Sequence, residues 1–190
     1  MKERTLIIIV AIIFLLVSLS PLALMKNPNE YNYNGFKIQK IPTGWATWAY
    51  KGEQPYFLQL RHQPRDLEDI EVDPEIRDLI LSKEGLALTI HSNLTSRAVL
   101  GAMDIANILG RRLGLYGIQT IGATTEYANE GTPVITCNEI DDAMNVAWLK
   151  LGNKTQIYLE NNCIIIEGQT EEDITRAADR LIYNILQVMD

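Results

Sequence analysis

The stretch TIHSNLTSRAV, from Thr89 to Val99, gathers the residue types that bind or transform small anions. It follows an apolar run, LALTI, that reads as a buried strand, and it opens onto a helix. His91, Ser92, Asn93, Thr95, Ser96 and Arg97 would then stand at the carboxyl end of that strand, where open α/β sheets usually bind ligands. Hydroxyls, free helix N–H groups and one guanidinium suit a carboxylate, a phosphate or a sugar acid. Thr124, Thr125 and Glu126 follow the next strand and could face the same crevice, giving His91, Arg97 and Glu126 as a polar trio. Nucleophilic catalysis fits less well. Neighbours on a strand point to opposite faces, so Ser92 is badly placed for His91, and Ser96 reaches it only through the curvature of the loop. There is no G-x-S-x-G elbow. Ser, Asn and Thr are also ordinary helix caps and turn residues, so the candidate crevice of His91, Ser96, Arg97 and Glu126 competes with a purely structural reading, and no catalytic residue is assigned.

Other clusters carry weaker chemistry. Asn138, Glu139, Asp141 and Asp142 form an oxygen-rich group, but without the spacing or glycine of an EF-hand they read as a solvated acidic turn, and no metal is expected. Cys137 and Cys163 match no zinc motif and are candidates for one disulfide, with two buried free thiols as the other reading. His62, beside Arg61 and Arg65, reads as a strand-end residue. CIIIEG followed by TEEDITRAADRLIYNIL turns from strand through glycine into helix, as phosphate sites do. Here Thr170 is the natural cap and Glu171, Glu172 and Asp173 fill the first turn, so like charges exclude a phosphate. No nucleotide and no other cofactor is expected. The net charge of −7, with Arg111-Arg112 the only adjacent basic pair, argues against nucleic acid.

The elements that must position these residues start with an apolar run from Thr5 to Met25, preceded by Lys2 and Arg4. About 20 residues at 1.5 Å rise cross the roughly 30 Å hydrocarbon core, so the run reads as a transmembrane signal-anchor; a cleaved signal peptide is the alternative. The charge placement puts residues 1–4 in the cytoplasm and the body outside the cell membrane, where thiols oxidise. The sequons at Asn93 and Asn153 agree with an outside location as glycosylation candidates. Residues 26–35 read as a polar stalk, and residues 36–190 as an extracellular domain. FKIQKI and YFLQLRHQ alternate as half-buried strands, with Trp45, Trp48 and Tyr50 between them placed for core or hairpin packing, or else for lipid headgroups.

Asp73-Pro74-Glu75 predicts an N-cap, a proline at the first helical position and a short helix to about Ser82. A longer apolar helix is predicted from Thr95 to about Leu113. Arg97, Gly101, Asp104 and Arg111 form its one polar stripe, so it should be covered on most sides. It would link LALTI to a parallel strand GIQTIGA as a βαβ unit. PVIT reads as a short strand. NVAWLKL, KTQIYLE and CIIIE, separated by Gly152-Asn153 and Asn161-Asn162, read as an antiparallel meander. The last helix should lay Ile174, Ala177, Ala178, Leu181, Ile182, Ile185 and Leu186 on the sheet, with Glu172 and Arg176 paired on the wet side. The fold class expected is α/β (α+β): one domain, a mixed sheet with one βαβ unit, an antiparallel meander and packed helices, preceded by the transmembrane helix.

The closing segment, with its AADRL core, resembles the strand and helix that end archaeal surface-layer-like secreted proteins. LRHQPRDLEDI is similar to a segment of the same uncharacterised membrane-anchored group. The resemblance implies an archaeal cell-envelope protein and no catalytic residue. The chain is much shorter than surface-layer proteins. The expected function is a binding or structural role at the envelope, with an envelope protein or glycan as partner and the membrane engaged through the N-terminal helix. An ectoenzyme or anion receptor using His91 to Arg97, and a subunit of a membrane-associated assembly, are the alternatives.

Overall fold

Alternation of inward and outward side chains builds the first sheet. The computed structural model describes residues 29–111 and 114–190. The expected cytoplasmic residues 1–4, the span Thr5–Met25 and the predicted helix end at Leu113 lie outside the described residues. Strands β1 (Glu30–Tyr33), β2 (Phe36–Ile41), β3 (Gly44–Lys51) and β4 (Gln54–Leu60) pair in order as an antiparallel meander. Part of the expected stalk is therefore β1. EYNY alternates, and it pairs with β2 from Glu30↔Gln39 to Tyr33↔Phe36 around a turn at Asn34 and Gly35. Trp45, Trp48 and Tyr50 lie on β3.

The second sheet has the order β5-β9-β10-β8-β6-β7. It comprises β5 (Glu71–Val72), β6 (Gly85–Ile90), β7 (Gln119–Thr124), β8 (Met144–Leu151), β9 (Gln156–Glu160) and β10 (Cys163–Gly168). Among the described residues three α-helices complete the fold: α1 (Ile76–Leu81), α2 (Ser96–Leu109) and α3 (Glu171–Ile185). The β6-α2-β7 unit forms with parallel strands in register from Gly85↔Gln119 to Ile90↔Thr124. β9 and β10 form a hairpin in which Asn161 and Asn162 both take positive φ. Among the described residues no helix is long and apolar enough to cross a membrane.

Several local expectations are corrected by long-range packing. The second-half strands are not a meander, because β10 lies between β8 and β9 and pairs parallel with β8. Every residue of β10 is buried, so a central position is the one that covers both of its faces. Gly152 accordingly makes no hairpin. A Cβ there would collide with the Glu167 carboxylate, which turns in to accept from the Asn153 and Lys154 N–H groups at 2.8 and 3.3 Å. PVIT contributes one parallel bridge, Thr124↔Val134. Asp73 does not cap α1; its Oδ2 accepts from the Leu159 N–H on β9 at 2.8 Å, and the helix starts after Glu75. Gly101 is not on a wet stripe of α2. A Cβ at that position would lie 3.1 Å from Ala178 Cβ, so the glycine sets a close crossing of α2 on α3, while Val99, Leu100 and Met103 face outward.

The two faces of β10 enter different cores. Ile164 and Ile166 join the main core with Leu149, Ala178, Leu181 and Ile182 beneath the helices. Cys163 and Ile165 join Ala87 and Val146 on the opposite face. That back core is covered by the segment carrying Ile135, Cys137 and Ile140. With few buried residues beneath it, the cover is fastened covalently by a disulfide between Cys137 and Cys163, across a sequence separation of 26. By chain entropy such a loop closure stabilises by about 3–4 kcal/mol. Replacing both cysteines by alanine is expected to lower unfolding stability by that amount in urea; an unchanged midpoint would mean the cover holds without its link.

Candidate functional site

The parallel register of β6 and β7 brings two of the expected crevice residues together and separates the rest. Thr125 N donates to Ile90 O at 3.0 Å, which aligns the loops that follow the two strands. His91 Nδ1 accepts from Asn93 N–H at 3.3 Å, and His91 Nε2 lies 3.4 Å from Glu126 Oε1, which also accepts from the Ser92 hydroxyl. This is a hydrogen-bonded surface loop, open to water. Ser96 opens α2 and is exposed, with no bond to His91. Asn93 and Asn153, the sequon residues, are both exposed.

Arg97 belongs to a different group. Its Nη1 donates to Glu172 Oε2 at 2.8 Å, on the first turn of α3. The neighbouring Glu171 accepts from Thr95 N–H at 3.0 and 3.1 Å and from the Thr95 hydroxyl. The starts of α2 and α3 are adjacent, and the carboxylate drawn to the positive end of α2 comes from the chain itself. These Thr95 bonds hold the Glu171 carboxyl below its ordinary pKa. At the α3 start the expected cap forms: the Thr170 side chain accepts from Asp173 N–H at 3.2 Å.

A second polar group was not anticipated from sequence. Asp179 is fully buried in α3, and its Oδ2 accepts from Arg61 N at 3.0 Å and from His62 N and Nδ1, both at 2.8 Å. The other ring nitrogen of His62 lies 3.3 Å from Glu172 Oε1. His62 is thus no simple strand end, but a clamp between the end of β4 and α3. Asp104 on α2 accepts from Arg61 Nε at 3.0 Å, and the Tyr183 hydroxyl donates to His62 O at 3.0 Å. The expected wet pair of Glu172 and Arg176 is also corrected. Arg176 binds Asp173, Asp69 and the Asp66 carbonyl, because the chain leaving the first sheet covers that flank. The available signal was a second stripe on α3, Glu172, Arg176, Asp179 and Tyr183, spaced four, three and four apart.

An imidazole oriented by a buried carboxylate is also a feature of catalytic triads, but here both nitrogens face carboxylates, an arrangement that the doubly protonated ring satisfies. Burial opposes that charge, yet the bond and charge of Asp179, then those of Glu172, raise the His62 pKa above its ordinary value. Asp104 is also raised, by burial, against the opposing charge of Arg61. The group acts as a staple between the end of β4 and α3.

Two cavities lie away from these groups. One of about 410 Å³ opens between β3 and the end of α3, lined by Phe36, Ala49, Tyr50, Tyr116 and Leu186. Another, of about 340 Å³, lies among Ala106, Gly110, Ile118 and Gln119, ahead of β7 rather than beyond its carboxyl end. In the acidic turn, Glu139 closes a capping box with Thr136 at 2.6 Å, and Asp141 accepts from Ala143 and Met144 N–H at 2.8 and 2.7 Å. Among the described residues no cluster of three or more metal-binding side chains occurs.

Comparison with family models, with curated proteins and with solved structures returned no match. Nothing in them bears on the resemblance to archaeal surface proteins.

The His62 staple has a signed pH dependence. A raised folded pKa means its contribution is complete below the unfolded value of about 6.5 and is lost as pH rises through the folded value above it. The His62 ring resonances should titrate with a midpoint above 6.5, and Asp179→Asn should lower that midpoint. Asp179→Ala, which strands the Arg61 and His62 N–H groups, should cost about 3–5 kcal/mol in urea unfolding. A midpoint at or below 6.5 in the unaltered chain would exclude the staple.

Proposed function

We propose that this chain is a membrane-anchored extracellular domain with a binding or structural role at the cell envelope. The disulfide between Cys137 and Cys163 carries the reading, because such bonds persist in oxidising compartments outside the cytoplasm. The apolar run Thr5–Met25 supports an anchor, and Lys2 and Arg4 before it favour a body on the outer side. The resemblance of the closing segment to archaeal surface proteins belongs to the same proposal. The polar groups best suited to anion binding or acid–base work are engaged within the fold. Glu171 occupies the α2 start, Glu172 takes Arg97, and carboxylates hold both nitrogens of His62. This favours binding through a surface over turnover in a crevice.

A second reading, a subunit of a membrane-associated assembly, is favoured by the outward-facing Val99, Leu100 and Met103 on α2. An unpartnered apolar strip of this kind suits a neighbouring protein.

The test is sidedness. A membrane-impermeant amine reagent applied to intact cells is expected to label Lys40 and Lys154, both exposed, and alkaline extraction should leave the chain in the membrane. Labelling only after lysis would place the domain inside and end the proposal.

A further inference from the structure

We infer that the outer face of the first sheet rests on the lipid headgroups of the membrane that anchors the chain; the inference rests on the anchored reading above. The inner face is occupied, since Ala49, Leu58 and Leu60 enter the main core beneath α3. The outer face is not. On it Trp48 is 46% exposed, Phe57 45% and Tyr50 67%. Trp48 and Phe57 are cross-strand partners with ring centroids 5.1 Å apart, so they form one aromatic platform rather than scattered residues.

Charge sets this face apart from the rest of the molecule. Among the described outward positions of β1 to β4 only Glu30 and Lys37 are charged, and they pair with each other at 2.9 Å. A chain of net charge −7 therefore presents a face of no net charge, which a phospholipid surface does not repel. Tryptophan and tyrosine, apolar in body and polar at one edge, are the side chains enriched at that boundary.

The tether leaves little choice of distance. Lys26 to Asn29 are all that separate Met25, the end of the apolar run, from β1, so β1 begins at most about 18 Å from the end of that run. Glu30, Gln39 and Ala46 stand at one level across the sheet. From strand spacing and rise, Trp48 is about 12 Å from the point where the chain enters. Residues this close to a span lie within reach of the headgroup layer, and the outward face is the unoccupied one.

The experiment uses the full chain reconstituted in phosphatidylcholine bilayers, with and without bromine on the acyl chains. Flotation with the bilayers is measured first; a chain that does not float refutes the anchored reading itself. For floating chains, a form keeping only Trp48 (Trp45→Phe, Trp148→Phe) is expected to lose severalfold more emission to bromolipid than a form keeping only Trp148. Because those replacements could disturb folding, the otherwise unaltered chain carrying Trp48→Ser and Phe57→Ser, both at exposed positions, is compared as well. It should lose most of the bromolipid quenching. Equal quenching of Trp48 and Trp148 would overturn the inference and leave the anchor intact. So would a Trp48 that bromolipid leaves unquenched but that is shielded from aqueous iodide, which would mean a protein covers the face.

Discussion

A strand with no wet side organises this molecule. Cys163 to Gly168 is buried throughout, and a strand of that kind must be paired on both edges and roofed on both faces. Pairing places it between β8 and β9 rather than at the end of a meander. The roof over Ile164 and Ile166 is helical. The roof over Ile165 is an irregular segment held by the disulfide. Burying each isoleucine contributes about 1.5–3 kcal/mol, so both covers matter to a domain of this size.

Once α3 lies on the sheet, its flank decides where the first sheet can go. Asp179, Arg176 and Tyr183 turn that flank into a row of bonds to the segment from Arg61 to Asp69. A buried carboxylate is costly unless it is engaged, and Asp179 draws two backbone N–H groups and an imidazole to Oδ2, while its buried Oδ1 has no hydrogen-bond partner. The first turn of α3 does the same for α2, lending Glu171 to its start and Glu172 to Arg97. Charge that looked available for ligands is used to orient elements, while Trp48, Phe57, Leu100 and Met103 keep apolar surface exposed.

Much of this was legible wherever the signal is local. Thr170 before three acids marks a helix start, Asn161-Asn162 marks a hairpin, and the apolar pattern around Leu86 to Ile90 and Gln119 to Thr124 marks the βαβ unit. The errors concern partners distant in sequence. Nothing in NVAWLKL tells which of the next two strands it will join. Asp73 has the residues of a cap on either side, yet its carboxylate is taken by Leu159. Val99, Leu100 and Met103 have the composition of core and face out, because Gly101 and Ala178 bring α2 onto α3 by its other side. His62 and Asp179 are 117 residues apart, and only the spacing of the second stripe on α3 hinted at a partner. The loops of His91 and Glu126 meet because β6 and β7 are in parallel register, whereas Arg97 is drawn off by a helix not adjacent in sequence.

The central claim is a disulfide-closed domain held outside the cell by its own N-terminal run. It is tested most directly by the intact mass of the protein from its native membrane, alkylated before and after reduction. The account predicts a full-length mass that rises by two alkyl groups only after reduction, from Cys137 and Cys163. A mass lacking Thr5–Met25, or thiols that alkylate without reduction, would contradict it.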